Sequence, residues 1–134
     1  MSKVNSEINR VVWCDVPVVD LDRAIAFYAA VLKIKVHRET FGAFTFAVLD
    51  HTDGNGGCLV IKPNEVSSTS GPLVYFNVDG RIADAAAEVA KHGGRILEPP
   101  HSIGPHGSRC VLIDSEGNRV AIHSTENVGG GPPR

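Results

Sequence analysis

Cysteine is scarce in this chain of 134 residues, and the few present do not suggest a covalent framework. The three cysteines, Cys14, Cys58 and Cys110, are odd in number and show no C-x-x-C spacing. We therefore expect them to be small buried side chains in the reducing environment of the cytoplasm. The alternative, a nucleophilic cysteine, has little support because none of the three has an obvious adjacent base in the sequence.

A strong charge excess and long apolar segments are also lacking. Lys and Arg number 13 against 15 Asp and Glu, which gives a net charge of -2, and the basic residues are scattered. This distribution argues against a nucleic-acid partner. No segment approaches the length of a membrane span or resembles a signal peptide, so no membrane partner is expected either. The length and composition fit one globular domain over residues 1–134.

The chain does contain a strand-then-helix pattern that occurs twice. VPVVD is followed by LDRAIAFYAAVL, and VYFNVD is followed by GRIADAAAEVAKHGG. Asp20 and Asp79 lie 59 positions apart, in register, and each stands where a helix N-cap is expected. Such a period is typical of one structural module used twice, with a site between the copies.

Hydrophobic periodicity extends this pattern to both halves of the chain. Leu21, Ile25, Tyr28 and Leu32 form an apolar stripe on the first helix, so Phe27 and Tyr28 are interpreted as packing residues. In the first half we expect a strand at 10–18, a helix at 21–32, and strands at 34–39, 43–50 and 58–62. In the second half we expect a strand at 73–78, a helix at 80–92, and strands at 95–97, 109–113 and 119–124.

These elements predict an α+β fold of two tandem βαβββ modules that form a curved sheet around a cleft. The modules span about residues 8–62 and 72–125, with a polar linker at 63–71. Residues 1–8 are expected to fray and 126–134 to form a flexible tail, and PPHSIGPHG at 99–107 reads as a loop. Neither half can bury its helix and sheet alone, so we expect the two sheets to join edge to edge.

The sequence resembles the vicinal oxygen chelate superfamily, which contains glyoxalases, extradiol dioxygenases, fosfomycin-modifying enzymes and bleomycin-binding proteins. VPVVDLDRAIAFYAAVL and LIDSEGNRVAIHS carry the resemblance, over roughly residues 10–125. WCDVPVVDLDRA, SIGPHG and DSEGNRVAIHS are similar to a bacterial subgroup described as glyoxalase/bleomycin-resistance-like. The resemblance implies a homodimer whose modules are swapped or paired across the interface. It does not fix the activity, because this fold serves many functions.

Enzymes of this superfamily hold a divalent metal with four side chains in the cleft, and the resemblance places those positions in this sequence. They fall on Trp13, on Val60 or Ile61, on Leu73 and on Ala121. None of these side chains can ligate a metal, because the aliphatic ones have no lone pair and the indole nitrogen only donates. We therefore expect no divalent metal at the usual place.

If those positions face the cleft, strand alternation adds their neighbours to its lining. The predicted cleft residues are Trp13, Asp15, Leu73, Tyr75, Asn77 and Ala121. Asp15 is a candidate acid or base, and His123 is a candidate for proton transfer or metal binding. His101 and His106 lie in the predicted loop and could overhang the cleft. A metal held away from the usual place by His123 and Asp15 also stays open, and the carboxylates of the DSEGN turn are interpreted as structural.

Three functional hypotheses follow. The first is a metal-free protein that binds a small, partly apolar or aromatic molecule, as the drug-sequestering members do. The second is a glyoxalase-like lyase or isomerase, or a dioxygenase relative, with displaced catalytic groups. The third is a regulatory module that acts through its surface. The missing ligands argue against the ordinary form of the second hypothesis but do not separate the first from the third.

Overall fold

A computed structural model describes residues 10–129 as two modules in the predicted order. The first module comprises β1 (Trp13–Val18), α1 (Leu21–Leu32), β2 (Val36–Phe41), β3 (Phe44–Leu49) and β4 (Gly56–Ile61). The second comprises β5 (Tyr75–Asn77), α2 (Ile82–Lys91), β6 (Arg95–Ser102), β7 (Ser108–Ile113) and β8 (Arg119–Ser124). The predicted α+β fold of tandem βαβββ modules is confirmed.

Each module forms its own four-stranded sheet. The strand orders are β1-β4-β3-β2 and β5-β8-β7-β6, and in each sheet the first pair is parallel. The two sheets do not join edge to edge as expected, because no strand pairing links them within residues 10–129. β5 is only three residues long, and the free edge of β1 is met by a side chain instead: Asn118 Nδ2 donates to Pro17 O at 2.7 Å.

Helix α1 begins and ends where the sequence predicts. The Asp20 carboxylate accepts a hydrogen bond from Arg23 N at 3.0 Å, which is a side-chain N-cap. Phe27 and Tyr28 are 0% and 1% exposed, so their interpretation as packing residues is confirmed. The buried stripe is broader than predicted and includes Ala24 and Val31. Full burial of a large apolar side chain contributes about 1.5–3 kcal/mol.

Helix α2 corrects the second predicted N-cap. The cap position is Arg81, and the Asp79 carboxylate instead accepts hydrogen bonds from Thr125 N and Thr125 Oγ1, both at 2.6 Å. These bonds lower the pKa of Asp79. Asp79 therefore fastens the start of the helix to the end of β8. Gly80 and Arg81 separate Asp79 from α2, whereas Asp20 directly precedes α1.

Strand β6 corrects the predicted loop at 99–107. The strand continues through Pro99 and Pro100 to Ser102, and only Gly104–His106 form a short helical turn. β6 tolerates the two prolines because it is an edge strand with irregular register against β7.

The chain ends beyond these elements are described in part. Val128 N donates to Ser108 Oγ at 2.9 Å, and Ser102 N donates to Gly129 O at 3.0 Å, so the beginning of the predicted tail is fastened to β6 and β7. The expected frayed residues 1–8 and the rest of the expected tail, 130–134, lie outside the described residues.

Both helices and the helix-covered faces of both sheets share one hydrophobic core. The rings of Tyr28 on α1 and Phe76 on β5 meet across the modules with centroids 5.2 Å apart. Within the described residues, no helix is both long enough and apolar enough to span a membrane.

The turn between β7 and β8 fastens the second module to the first helix. The Glu116 side chain, which is 0% exposed, accepts hydrogen bonds from Val19 N at 2.9 Å and Asp20 N at 2.6 Å. Its other oxygen lies 2.7 Å from Arg23 Nε. Burial by itself would raise the pKa of Glu116, but the bonds from Arg23 and from the Asp20 amide outweigh it, so the pKa is lowered.

Asp114 holds this turn in shape and adds a second link. Its Oδ1 accepts from Glu116 N at 2.9 Å and Asn118 N at 2.8 Å, while its Oδ2 accepts from Tyr28 Oη at 2.6 Å. Burial and the Asp114 carboxylate raise the pKa of Tyr28 well above its ordinary value, so the phenol keeps its proton. The structural interpretation of the DSEGN carboxylates is consistent with these contacts, which extend to the other module.

We predict that Glu116→Gln destabilises the fold by about 2 kcal/mol near neutral pH, because it weakens the acceptor for two backbone amides and Arg23. A lowered pKa means that the stabilisation is present above pH 4.5 and is lost as the pH falls through the folded-state value. Urea unfolding at about pH 7 and about pH 3 measures this, and the difference between wild type and variant should shrink at the lower pH.

The matched control is Glu65→Gln, because the Glu65 side chain is exposed and, within residues 10–129, is ion-paired only with Lys62, at 3.9 Å. If the two variants unfold alike at neutral pH, the contacts of Glu116 do not stabilise the fold as proposed.

Candidate functional site

Each sheet has a face that points away from the shared core. Along β1, Cys14, Val16 and Val18 belong to or pack against the core, while Trp13 and Asp15 lie on the opposite face. We call the two faces opposite the helices the open faces. The candidate functional residues of this chain lie on them or at the junction between the modules.

The open face of the first sheet is aromatic. Phe41 is 78% exposed, Phe44 is 72% exposed and Trp13 is 37% exposed. Asp15 and Cys58 are paired on the neighbouring strands β1 and β4, and the Cys58 thiol donates to Asp15 Oδ1 at 3.3 Å. Burial raises the pKa of Cys58 to about 11, with Trp13 opposing the rise and Asp15 adding to it. The thiol is therefore protonated at neutral pH and is a poor nucleophile.

The open face of the second sheet is polar and is organised by Arg109. Its Nη1 donates to Tyr75 Oη at 2.8 Å, and its Nε donates to His101 Nε2 at 3.3 Å. Its Nη2 lies 3.3 Å from Glu98 Oε1. His101 Nδ1 can then donate to Pro99 O, 2.8 Å away, and these partners assign the tautomer. The cluster presents a phenol, a guanidinium and an imidazole on one surface.

The three histidines of the predicted site occupy different positions. His101 lies on β6 and is held in the Arg109 cluster. His106 lies in the short helical turn, and its carbonyl is 2.6 Å from His123 Nε2. His123 is on β8 with its ring centroid 6.3 Å from that of Tyr75. Asp15 is on the other sheet, at the first module's edge, so the suggested His123 and Asp15 metal pair is divided between the two modules.

A cavity of about 630 Å³ lies at the junction of the modules. We call it the larger cavity. Its wall is mostly apolar, with Leu32, Ile34 and Leu49 from the first module, and β5 forms the opposite side with Tyr75 and Asn77. Polar groups from the turn between β3 and β4 complete the lining; they include Asp50, His51 and Asn55.

The six predicted cleft residues lie in different parts of this region and do not all line one cavity. Tyr75 and Asn77 line the larger cavity. Trp13 is outside the described lining of the larger cavity, and its ring meets edge-on that of His51, which belongs to the lining, with centroids 5.4 Å apart. Asp15 lines a smaller cavity nearby, and Ala121 is 0% exposed. Leu73 is half-buried just before β5.

Sequence comparison identifies the class of protein to which this fold belongs. The model of the Glyoxalase/Bleomycin resistance protein/Dioxygenase superfamily matches residues 8–122. The chain therefore belongs to this superfamily, as the resemblance in its sequence implied. A search of curated proteins finds no match.

Solved structures agree on the fold. A glyoxalase-related enzyme from Fulvimarina pelagi is 15% identical, with 87% of this chain and 88% of that chain covered and a TM-score of 0.66. A glyoxalase/bleomycin resistance protein from Albidiferax ferrireducens T118 is 20% identical, with 87% and 99% covered and a TM-score of 0.66. A fosfomycin resistance protein from Listeria monocytogenes is 12% identical, with 87% and 93% covered and a TM-score of 0.64. At these identities the likeness concerns the fold alone.

The strand register changes one of the four inferred metal positions. Leu73 lies two residues before Tyr75, which pairs with Ala121. Trp13 lies two residues before Asp15, which pairs with Cys58. If Trp13 and Leu73 are equivalent positions in the two modules, then Cys58 is the equivalent of Ala121 and would be the position on β4. Val60 lies two residues further along the strand, and Ile61 points to the other face of the sheet.

The residues at the four positions, Trp13, Cys58, Leu73 and Ala121, do not fit a four-ligand metal site. Cys58 alone can ligate a divalent metal, and its proton is held by a raised pKa. In the part of the chain that the structure describes, no group of three or more His, Cys, Asp or Glu side chains is placed to hold a metal ion.

Sequence reasoning missed Arg109, the centre of the polar cluster. Its signal was present: a charged residue within SRCVLI, a strand that is otherwise largely apolar. Its partners could not be inferred, because Tyr75 is 34 positions away.

Proposed function

We propose that the protein binds a small, partly apolar or aromatic molecule in the larger cavity, without the divalent metal usual in its superfamily. The observation that carries the proposal is the cavity of about 630 Å³ at the module junction. Pockets for small molecules usually measure about 300–1,000 Å³ and combine apolar walls with a few polar groups. Leu32, Ile34 and Leu49 supply the apolar wall here, while Tyr75 and Asn77 supply polar groups that can orient a ligand.

The donor set supports binding without a metal. Among the side chains at the four inferred metal positions, only that of Cys58 has an atom that can ligate a metal. Its thiol already donates a hydrogen bond to Asp15. A ligand in the larger cavity would instead contact side chains directly. The apolar part would rest on the aliphatic wall, and polar atoms would meet Tyr75, Asn77 or His51.

We predict saturable binding of the uncharged dye Nile red, followed by its fluorescence, in the larger cavity. Asn77→Trp and Asp50→Trp each place an indole in the wall and should weaken dye affinity about tenfold or more by excluding the dye. Excess chelator should leave the affinity unchanged.

Phe44→Ser is the matched control, because Phe44 is exposed on the aromatic open face and outside the cavity wall. Circular dichroism establishes that each variant is folded. Dye binding that both indole variants retain, or that Phe44→Ser abolishes, would place the site on the open face and refute the proposal. Loss of binding in chelator would refute its metal independence.

We infer that the chain forms a homodimer through the aromatic open face. Phe41 and Phe44 are paired across the tip of the hairpin between β2 and β3, and both are largely exposed. Together they form an exposed apolar patch at the tip of this hairpin, and exposed apolar patches often mark interaction surfaces. A second copy of the chain is the partner that the family resemblance favours.

We predict that the double substitution Phe41→Ser and Phe44→Ser shifts the protein from dimer to monomer, because it removes the two most exposed rings of the patch. Sedimentation velocity over a range of concentrations measures the change. Leu97→Ser is the control, since Leu97 is also exposed but lies on β6 of the other module. A monomeric wild type, or a double variant that dimerises as tightly, would contradict the inference.

The compartment that we propose is the cytoplasm. Cys14, Cys58 and Cys110 are unpaired in the structure, and burial raises the pKa of each thiol. Free thiols of this kind are kept reduced in the cytoplasm.

A further inference from the structure

His51 brings a hydrogen-bond acceptor to the larger cavity. It lies in the turn between β3 and β4 and belongs to the cavity wall. Its Nδ1 is 2.9 Å from the carbonyl oxygen of Gly54. Because a carbonyl oxygen only accepts, Nδ1 carries a proton, and in the neutral imidazole Nε2 then has a lone pair to offer. The contact with Gly54 therefore assigns the tautomer of the ring.

The Nε2 atom of His51 is accessible to a ligand. Within residues 10–129 it has no hydrogen-bond partner. It is also not buried, since Arg119 Nε is the only buried side-chain nitrogen or oxygen atom of those residues that lacks a partner. A ligand atom can therefore reach Nε2 without displacing a group of the protein.

The imidazole ring is held in place by its surroundings. A Cβ atom at position 56 would lie 2.9 Å from Cβ, Cγ and Cδ2 of His51, so the ring rests against Gly56, where no side chain competes for the space. The rings of Trp13 and His51 meet edge-on, with centroids 5.4 Å apart. Together with the bond from Nδ1 to Gly54, these contacts fix the ring before a ligand arrives, which reduces the entropy lost on binding.

The charge on the described wall of the larger cavity is negative. Asp50 comes from the same turn as His51 and lines the cavity, and no Lys or Arg does so among residues 10–129. Arg10 precedes the lining residue Val11 but is outside the described wall. The other uncharged polar side chains of the wall are those of Thr52, Asn55, Tyr75 and Asn77.

Asp50 keeps most of its capacity to attract a cation. Its Oδ1 lies 3.4 Å from Nε2 of His37, and the two side chains are 44% and 48% exposed. An exposed contact of this kind contributes little, and the second carboxylate oxygen stays available. The turn between β3 and β4 thus offers a carboxylate and an imidazole lone pair on the same part of the wall.

We propose that the larger cavity selects molecules in which an ammonium group is attached to an apolar or aromatic body, through His51 Nε2 and the Asp50 carboxylate. An ammonium group has donors only, so it matches two acceptors, whereas a carboxylate would meet a like charge and a lone pair. The apolar body would rest on the aliphatic wall. This inference rests on the proposed function, because it names the ligand class of the same cavity.

The test compares three molecules that share a phenyl ring and a two-carbon linker. Phenethylamine, phenethyl alcohol and hydrocinnamate displace Nile red from the full chain at constant ionic strength and about pH 8, where histidine side chains are mostly neutral. We expect phenethylamine to bind about tenfold or more tightly than hydrocinnamate, with the alcohol between them.

Two variants assign this preference to the named residues. Asp50→Asn keeps the shape of the side chain and removes its charge, so it should weaken the amine about fivefold and leave the alcohol unchanged. His51→Phe keeps a ring against Gly56 and removes the acceptor, so it should weaken the amine and the alcohol about fivefold and spare hydrocinnamate. Glu39→Gln is the matched control, because Glu39 is exposed on β2 and outside the described wall.

An amine preference that Asp50→Asn reduces and Glu39→Gln retains supports the proposal. Equal displacement by the three molecules, tighter binding of hydrocinnamate, or equal effects of Asp50→Asn and Glu39→Gln would overturn it. Failure of all three to displace bound Nile red would also overturn it, while the proposed function would stand. If Nile red does not bind, the proposed function fails in that test, and calorimetry with phenethylamine still decides the inference: saturable binding weakened by Asp50→Asn supports it, and no binding overturns it.

Discussion

The fold depends on one buried carboxylate that crosses from one module to the other. Glu116 accepts two backbone amides at the start of α1 and pairs with Arg23, while Asp114 binds the Tyr28 hydroxyl. A buried carboxylate is tolerated only when its charge is met by such donors. Because strand pairing does not join the two sheets within residues 10–129, these side-chain contacts and the shared core fix how the modules sit against each other.

Both cavities are consequences of that arrangement. Since β5 is short and the edge of β1 is met by Asn118 rather than by a strand, the junction leaves space at two places. The larger cavity has a mostly apolar wall, and the wall of the smaller one includes the charged residues Asp15, Glu65 and Arg119. The superfamily scaffold is thus retained, and we propose that recognition in it rests on direct contacts with side chains.

Local signals predicted the parts of the fold that local physics decides. Asp20 and the apolar stripe predicted the bounds of α1 correctly. The prediction of Asp79 as the second N-cap was wrong, because its carboxylate accepts a hydrogen bond from a distant residue, Thr125. The second half of β6 was predicted as a loop because it contains Pro99 and Pro100, which an edge strand tolerates. The choice between positions on β4 depends on the parallel register with β1, in which Asp15 pairs with Cys58, and such a non-local pairing cannot be inferred from the sequence. The hydrogen bond between Arg109 and Tyr75 joins segments 34 positions apart and could not be inferred from the sequence.

The most direct test of the central claim, a superfamily scaffold that binds its ligand without a metal, is the metal content of the purified chain. The protein would be incubated in turn with excess Zn²⁺, Ni²⁺, Mn²⁺ and Fe²⁺, freed of unbound ion and measured by elemental analysis. With Cys58 as the one suitable ligand among the four positions, the account predicts far less than one equivalent of each metal per chain. One equivalent per chain, lost in Cys58→Ser or Asp15→Asn, would contradict it.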